Sequence, residues 1–207
     1  MQPRYQLLVL LATFAQLRFG ELIALRQNSV DLEAMELRVR KATAEMGDGR
    51  LVDDDPKSEA GKRLVSPPNG LRSMIAHHLA TYAEPGPAGR LFVGPTGAVP
   101  RLRNFNRVWK RALADAGISA EIDLHLHDLR HTGSTWSAQS GATLKEVIAR
   151  IGHSNTRAAM IYQHATRDRD QAIASALDNL IEDAWTRSHS MIERRSGTVL
   201  ARGQVQP

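Results

Sequence analysis

Arginine and histidine side chains occur in this sequence where they could act together on a phosphate group. Arg18 and Arg130 each carry a planar, permanently charged guanidinium that can donate to two phosphate oxygens at once. His127 precedes Arg130 by three residues, so the two would share one face of a helix. The arginines could stabilise negative charge added to a phosphate, and the histidine could hydrogen-bond to it or accept a proton. The structural alternative is an arginine in a surface salt bridge.

A metal site is the other chemical use that this region suggests. His125, His127 and His131 lie close together in the sequence. Their spacing places them on different faces, however, and no carboxylate or cysteine completes a plausible ligand set. The sequence therefore predicts no metal ion and no other cofactor.

The composition is that of an ordinary globular domain with a basic surplus. Of the 207 residues, 42% are hydrophobic and 24% are charged, which is enough for one sizeable core. The 27 Lys and Arg residues exceed the 22 Asp and Glu residues, and the net charge of +5 favours an anionic partner, with nucleic acid first. The absence of cysteine excludes disulfides and a cysteine nucleophile, and it fits a reducing cytoplasm.

The apolar run at residues 7–17 is predicted to be a core helix. Its apolar residues recur at helical spacing, and no small-residue cleavage site of a secretory signal follows them. Arg18 and Glu21 interrupt the run before it reaches the roughly 20 apolar residues that a membrane span needs. A second short helix is expected at residues 21–25, which places Arg18 near a helix end.

Alternating apolar and charged residues then predict a small three-stranded antiparallel sheet. Residues 35–40 alternate in this way, and residues 51–52 and 64–65 are two further short strand candidates. The connection at residues 53–62 is polar and rich in turn-forming residues. It is predicted to be a hairpin loop, with Lys57 on a mobile arm.

The rest of the chain is predicted to be mainly helical. Helical periodicity covers residues 71–82, 105–116 and 127–140. A capping box of Thr143 and Glu146 opens a further helix that ends at Gly152. A short helix would then carry Tyr162, and a long final helix at residues 168 to about 187 shows an apolar stripe. Residues from about 188 onward are expected to form a flexible tail.

Three segments occur in an order that resembles the catalytic domain of the tyrosine recombinase, or phage integrase, family. They are an arginine box, Leu17-Arg18-Phe19-Gly20-Glu21, a histidine-x-x-arginine box, His127-Asp128-Leu129-Arg130, and a glycine-histidine box, Gly152-His153. Tyr162 follows the last box by nine positions. The resemblance covers roughly residues 5–185, and it rests on all the boxes in this order with a basic hairpin between them.

The resemblance implies six catalytic residues, namely Arg18, Lys57, His127, Arg130, His153 and Tyr162. Tyr162 would attack the phosphorus, release a 5′-hydroxyl and leave a 3′-phosphotyrosine link, while His153 would donate to the same phosphate. A phenol has a pKa near 10, so the histidine and the two arginines would have to assist it. The departing oxygen needs a proton, which in the family comes from a lysine in the hairpin between the second and third strands. Lys57 matches that lysine best, and Lys62 is the competitor.

Two further positions can be compared with the family pattern. Glu21 resembles the acidic residue that follows the first arginine, which supports the site without acting on DNA. Its structural alternative is a carboxylate at a helix N-terminus. Gln16 departs from the pattern, because a glycine is common there.

The fold implied is the tyrosine-recombinase catalytic domain, α+β and mainly helical, with a small three-stranded antiparallel sheet. This domain would span residues 1–187, without the N-terminal DNA-clamp domain of the family, and residues 188–207 would be a flexible tail. The implied function is site-specific DNA recombination of the phage integrase type. A type IB topoisomerase, which uses this chemistry to relax DNA, and a catalytically inactive DNA-binding regulator are the alternatives.

The resemblance also implies partners. The substrate would be double-stranded DNA attachment sites in the cytoplasm of a bacterial or phage-infected cell, with no membrane involved. The isolated domain would be a monomer, and a homotetramer would form on DNA through the apolar stripe of the last helix. Packing of that stripe within the same chain is the alternative. An accessory DNA-bending protein is a further candidate partner.

Overall fold

The protein is described here by a computed structural model that covers residues 1–55 and 61–152. The described helices are α1 (Gln6–Phe14), α2 (Phe19–Ala24), α3 (Arg72–Thr81), α4 (Leu102–Asp115), α5 (Leu126–Gln139) and α6 (Leu144–Ile151). The described strands are β1 (Val30–Asp31), β2 (Glu36–Val39), β3 (Ala42–Glu45), β4 (Leu51–Asp54) and β5 (Arg63–Val65). Helices with small antiparallel sheets confirm the mainly helical α+β class predicted from the sequence.

Helices α1 and α5 form the centre of the fold and touch through their backbones. A Cβ atom added to Gly133 in α5 would lie 1.8 Å from the carbonyl oxygen of Thr13 in α1, so a larger residue would push the helices apart. The apolar face of α1 is buried in the main core. The predicted N-terminal core helix is therefore confirmed, although it ends at Phe14, before the predicted end at residue 17.

The predicted three-stranded antiparallel sheet is present, but its strands differ from the predicted set. β2 lies between β1 and β5, with Leu37 opposite Val30 on one side and Val65 on the other. β4, which contains the predicted strand at residues 51–52, pairs instead with β3 in a separate two-stranded sheet.

The assignment of residues 51–52 to the three-stranded sheet was thus wrong, and the reason is local. Strand β3 has almost no apolar alternation in its sequence, so it could not be predicted from residue types. In the structure, Thr43 is its single buried residue. The turn between β3 and β4 is short and is closed by the Met46 N–H, which donates to the Arg50 carbonyl at 2.8 Å. A strand joined by so short a turn pairs with its sequence neighbour first. The connection at residues 53–62 consequently joins two different sheets and is not the predicted hairpin.

The boundaries of the helices that follow the sheets agree with the sequence prediction to within three residues, for α3, α4 and α5 alike. The capping box at α6 is formed: the Thr143 N–H donates to Glu146 Oε2 at 2.6 Å, and the Glu146 N–H donates to Thr143 Oγ1 at 3.3 Å. Gly152 ends α6 with a φ of 63°, a conformation that favours glycine. The predicted Tyr162 helix, the final helix and the tail lie outside the described residues.

The described residues offer neither a membrane-spanning helix nor a metal-binding cluster. Within residues 1–55 and 61–152, no helix is both long and apolar enough to cross a membrane. The same ranges contain no group of three or more His, Asp or Glu side chains placed to hold a metal ion. His125 approaches the carboxylates of Asp123 and Asp128, at 3.8 and 3.7 Å.

Candidate active site

Arg18 stands at the N-cap of α2, immediately after the turn that follows α1. Its own backbone N–H donates to Glu21 Oε2 at 2.9 Å, and its guanidinium Nη1 donates to Glu21 Oε1 at 3.0 Å. The side chain is 38% exposed. Arg18 is therefore anchored through one carboxylate and still presents its guanidinium to solvent, which confirms its predicted place at a helix end.

Arg130 lies in the first half of α5 and is almost completely buried, with a relative exposure of 2%. Its Nη1 donates to the backbone carbonyl of Gln16, and its Nη2 donates to the backbone carbonyl of Ile151. Nη1 also lies 3.8 Å from Glu21 Oε2. Contacts from residues 16–21 and from the end of α6 thus fix the position of this guanidinium.

Gln16 turns its carbonyl toward Arg130 because its backbone has a φ of 56°, in the left-handed region. This conformation costs a non-glycine residue about 1 kcal/mol or more, which is a physical reason for a glycine at such a position. The glutamine side chain has opposing effects: its Nε2 donates to the Gly133 carbonyl at 2.8 Å and to Ser137 Oγ at 2.6 Å, whereas its Oε1 is buried without a hydrogen-bond partner among the described residues. The carbonyl of residue 16 nevertheless reaches Arg130 although the residue is not glycine.

Glu21 is the common partner of these arginines and is buried, with a relative exposure of 3%. It contacts Arg18, Arg130 and also Arg63 on β5, whose Nη2 lies 3.0 Å from Glu21 Oε2. Burial by itself would raise the pKa of the Glu21 carboxyl, but the hydrogen bonds and charges of the arginines outweigh burial and lower the pKa below its usual value. Glu21 is therefore ionised and holds an arginine cluster, and it also caps the N-terminus of α2 as its alternative interpretation predicted.

His127 lies on the first turn of α5 and lines a cavity of about 200 Å³. Leu17 and Phe19, the two neighbours of Arg18, line the same cavity. Partial burial, followed by the positive fields of His131, Arg130 and Arg18, lowers the pKa of His127 below 6.5. The structure thus brings His127 near both arginines and keeps its imidazole neutral at pH 7.

The remaining predicted site residues are Lys57, His153 and Tyr162, and all three lie outside the described residues. Lys62, the competitor of Lys57, is described, and its Nζ forms an ion pair with Asp55 Oδ2 at 3.0 Å. Arg63 was missed by the sequence reasoning. Its side chain lies on the face of β5 that carries the buried Val65, whereas Leu64 between them is 58% exposed, an orientation that the sequence Arg-Leu-Val does not indicate.

Solved structures define the class of fold. The Tn1549 transposon integrase in complex with circular intermediate DNA matches with a TM-score of 0.70 at 25% identity, over 85% of this chain and 60% of that one. The XerA recombinase matches with a TM-score of 0.62 at 21% identity, over 84% of this chain and 58% of that one. The architecture described above is therefore that of tyrosine recombinase catalytic domains.

The chain belongs to the phage integrase family, whose profile matches residues 1–169. The putative prophage phiRv2 integrase of Mycobacterium tuberculosis H37Rv is 40% identical over 185 residues, which are 88% of this chain and 48% of that protein. The integrase of Mycobacterium phage D29 is 38% identical over 180 residues, 85% of this chain and 47% of that protein. The chain spans about half the length of these relatives.

Proposed function

We propose that this chain is the catalytic part of a site-specific DNA recombinase of the integrase type, which cleaves and rejoins strands through a 3′-phosphotyrosine intermediate. One observation carries the proposal: Arg18 and Arg130, far apart in the sequence, meet at the Glu21 carboxylate beside a neutral His127. The relatives named above are called integrases, and their family is the one to which the chain belongs.

Arg18 and Arg130 would bind the nonbridging oxygens of the scissile phosphate. Glu21 orients these arginines without cancelling their charge, because one carboxylate faces three guanidinium groups, those of Arg18, Arg63 and Arg130, and 3 − 1 leaves a surplus of two positive charges. Preorganised positive charge stabilises the extra negative charge of the transition state more than water can, since it needs no reorganisation during the reaction. Guanidinium groups would thus supply this charge stabilisation.

His127 would act on protons or on a phosphate oxygen. Its lowered pKa leaves the imidazole neutral near pH 7, so that it can accept a proton from the attacking hydroxyl or donate one hydrogen bond. The same cluster of arginines that lowers this pKa would also favour the phenolate form of a nearby tyrosine.

Tyr162 would attack the phosphorus, and the bond from phosphorus to the 5′-oxygen would break as the bond to the tyrosine oxygen forms. Lys57 would protonate the departing 5′-oxygen, and His153 would donate to a nonbridging oxygen. Lys57 is favoured over Lys62 because it matches the family's hairpin lysine best; Lys62 forms an exposed ion pair with Asp55 at 3.0 Å. Rejoining would reverse these steps, with the 5′-hydroxyl attacking the phosphotyrosine.

The proposal extends to domain organisation and partners. Residues 1–187 would form the catalytic domain and residues 188–207 a tail, in a recombinase that uses double-stranded DNA attachment sites in a bacterial or infected-cell cytoplasm. The net charge of +5 supports an anionic partner. The isolated domain would be a monomer, assembling into a tetramer on DNA through its last helix, with an accessory DNA-bending protein as a further partner.

Replacement of the nucleophile tests the proposal. The wild-type chain, incubated with a randomised pool of nicked duplexes that carry a fluorescent label, should form a covalent protein–DNA adduct, because the short fragment beyond the nick is lost after cleavage. Tyr162→Phe should form no adduct while still shifting the same DNA in a native gel. Tyr82→Phe, at the C-cap of α3, is the matched control and should retain the adduct.

Three results would contradict the proposal. An adduct that survives Tyr162→Phe would remove the nucleophile assignment. Relaxation of any supercoiled plasmid without sequence preference would assign the chain to the topoisomerase alternative. DNA binding without an adduct in the wild type would favour the inactive regulator.

A further inference from the structure

Arg63 is a nearly buried contact of Glu21, and the mechanism above assigns it no contact with the phosphate. It is the first residue of β5, and its side chain is 6% exposed. Nη1 donates to Glu21 Oε1 at 3.1 Å and Nη2 to Glu21 Oε2 at 3.0 Å, so the guanidinium grips both carboxylate oxygens. A bidentate pair of this kind fixes the plane of the carboxylate as well as its position.

The remaining donors of Arg63 point into the protein. Nε donates to the Arg150 carbonyl in the last turn of α6 at 2.7 Å, and Nη1 also donates to the Gly61 carbonyl at 3.2 Å. These donors are all engaged with acceptors of the protein. The Arg63 guanidinium therefore ties β5 and the end of α6 to the N-terminus of α2 through Glu21.

The two oxygens that Arg63 fixes are the ones that hold the other arginines. Oε1 also accepts from Arg18 Nη1, and Oε2 accepts from the Arg18 backbone N–H and lies 3.8 Å from Arg130 Nη1. Without the bidentate grip the carboxylate could rotate, and a rotated carboxylate would draw Arg18 or Arg130 closer. Either movement would take guanidinium donors away from a phosphate.

We propose that Arg63 is a positioning residue for the reaction, which sets the separation of Arg18 and Arg130 through the Glu21 carboxylate. This inference rests on the proposed function, because it concerns the arginines assigned there to the scissile phosphate. It predicts that loss of Arg63 slows the cleavage step and leaves DNA affinity almost unchanged. It also predicts that the effect depends on the charge of Glu21.

The test compares Arg63→Met and Arg63→Lys in the full chain, with and without Glu21→Gln. DNA trapped by the wild type from the randomised nicked pool is sequenced to provide one defined nicked substrate, and single-turnover cleavage rates and dissociation constants are measured on it. Arg50→Met is the matched control, since Arg50 lies in the turn between β3 and β4 with a side chain that is 77% exposed.

Arg63→Met should cleave about 100-fold more slowly than the wild type, since misplacement of a reacting group by about 1 Å has effects of this size. Arg63→Lys should lose about tenfold, because an ammonium keeps the charge but cannot grip two oxygens. Dissociation constants should change by less than about threefold, and Arg50→Met should match the wild type. In the Glu21→Gln background, Arg63→Met should change the rate by less than about threefold, because the contact is already broken.

The proposal is overturned by wild-type cleavage rates in both Arg63 variants, by equal rate losses with and without Glu21→Gln, or by affinity losses that match the rate losses. If Arg63→Met fails to fold, the proposal is tested with Arg63→Lys instead, by comparing its cleavage rate with and without Glu21→Gln. A wild-type adduct that depends on Tyr162, together with unaffected Arg63 variants, refutes this inference alone. Absence of any wild-type adduct refutes the proposed function, and this inference with it.

Discussion

Arg18 and Arg130 reach the same carboxylate from two contrasting parts of the fold. Arg18 begins a short helix, is 38% exposed, and is held by the carboxylate that caps that helix. Arg130 is 2% exposed inside α5 and donates to backbone carbonyls of the turn after α1 and of the end of α6. One arginine is thus positioned by a side chain, and the other by the folded backbone around it.

This comparison separates two contributions of the arginines, one to catalysis and one to stability, which the sequence motif does not distinguish. Both arginines would bring charge to a phosphate, but Arg130 also satisfies buried carbonyl groups, and a buried carbonyl without a donor costs about 1–3 kcal/mol. The side chain of Arg18 contributes less to stability, because the backbone N–H of Arg18, rather than its side chain, completes the cap of α2. Catalysis and stability should therefore respond differently to the loss of each arginine.

The largest predicted effect is that of Arg130→Ala compared with Arg18→Ala. Both should reduce adduct formation by about 100-fold to 1,000-fold, the usual loss when one donor to a developing negative charge is removed. Arg130→Ala should also lower the free energy of unfolding by about 3 kcal/mol, whereas Arg18→Ala should lower it by less than about 1 kcal/mol. Urea denaturation measures the second quantity, and equal stability losses in the two variants would remove the distinction.

A smaller effect concerns His127, which lies in the field of both arginines. Its pKa is lowered from 6.5, so the neutral form persists as the pH falls to 6.5 and is lost only as the pH falls through the lowered value. The cleavage rate should therefore fall on the acid side with a midpoint below pH 6.5, by about tenfold per pH unit once most of the imidazole is protonated.

His127→Asn provides the control for this pH dependence. Asparagine keeps a hydrogen-bond donor but does not titrate, so the variant should be slower at pH 7 and should lose the acid limb. The other charged groups that act on His127 are His131, Arg130, Arg18 and Asp128. An unchanged acid limb in His127→Asn would assign the titration to another group.

The smallest predicted effect tests the backbone that holds Arg130. Gln16→Gly removes two side-chain hydrogen bonds but relieves the left-handed conformation, so the free energy of unfolding should fall by only about 1 kcal/mol. Gln16→Ala loses the same bonds without that relief and should be about 1 kcal/mol less stable than Gln16→Gly. Equal stability in the two variants would show that the φ of residue 16 carries no strain.

Sequence reasoning succeeded where a residue's chemistry and its helix position were both visible in the chain. The place of Arg18 at a helix end, the helix containing His127 and Arg130, and the capping box at Thr143 follow from local spacing, and the structure confirms them. Lys57, His153 and Tyr162 remain predictions.

Sequence reasoning was less informative for features of the structure that depend on a tertiary contact. Strand β3 has no apolar alternation, so the pairing of β4 with it could not be predicted from residue types. The contact between the Gln16 carbonyl and Arg130 could not be predicted, because a left-handed φ is usually predicted from a glycine in the sequence, and residue 16 is a glutamine. Arg63 resembled one more basic residue of a strand, since the buried carboxylate that it meets lies 42 positions away in the sequence.

The backbone contact between Gly133 and Thr13 has a mechanical consequence. The two helices are in direct backbone contact there, with no side chain between them that could adjust to a relative shift. Arg130 belongs to one of these helices, and the turn carrying Gln16 continues directly from the other. A shift of one helix against the other would therefore move the carbonyl that holds Arg130, so the two helices have to move together if the position of this guanidinium is to be preserved.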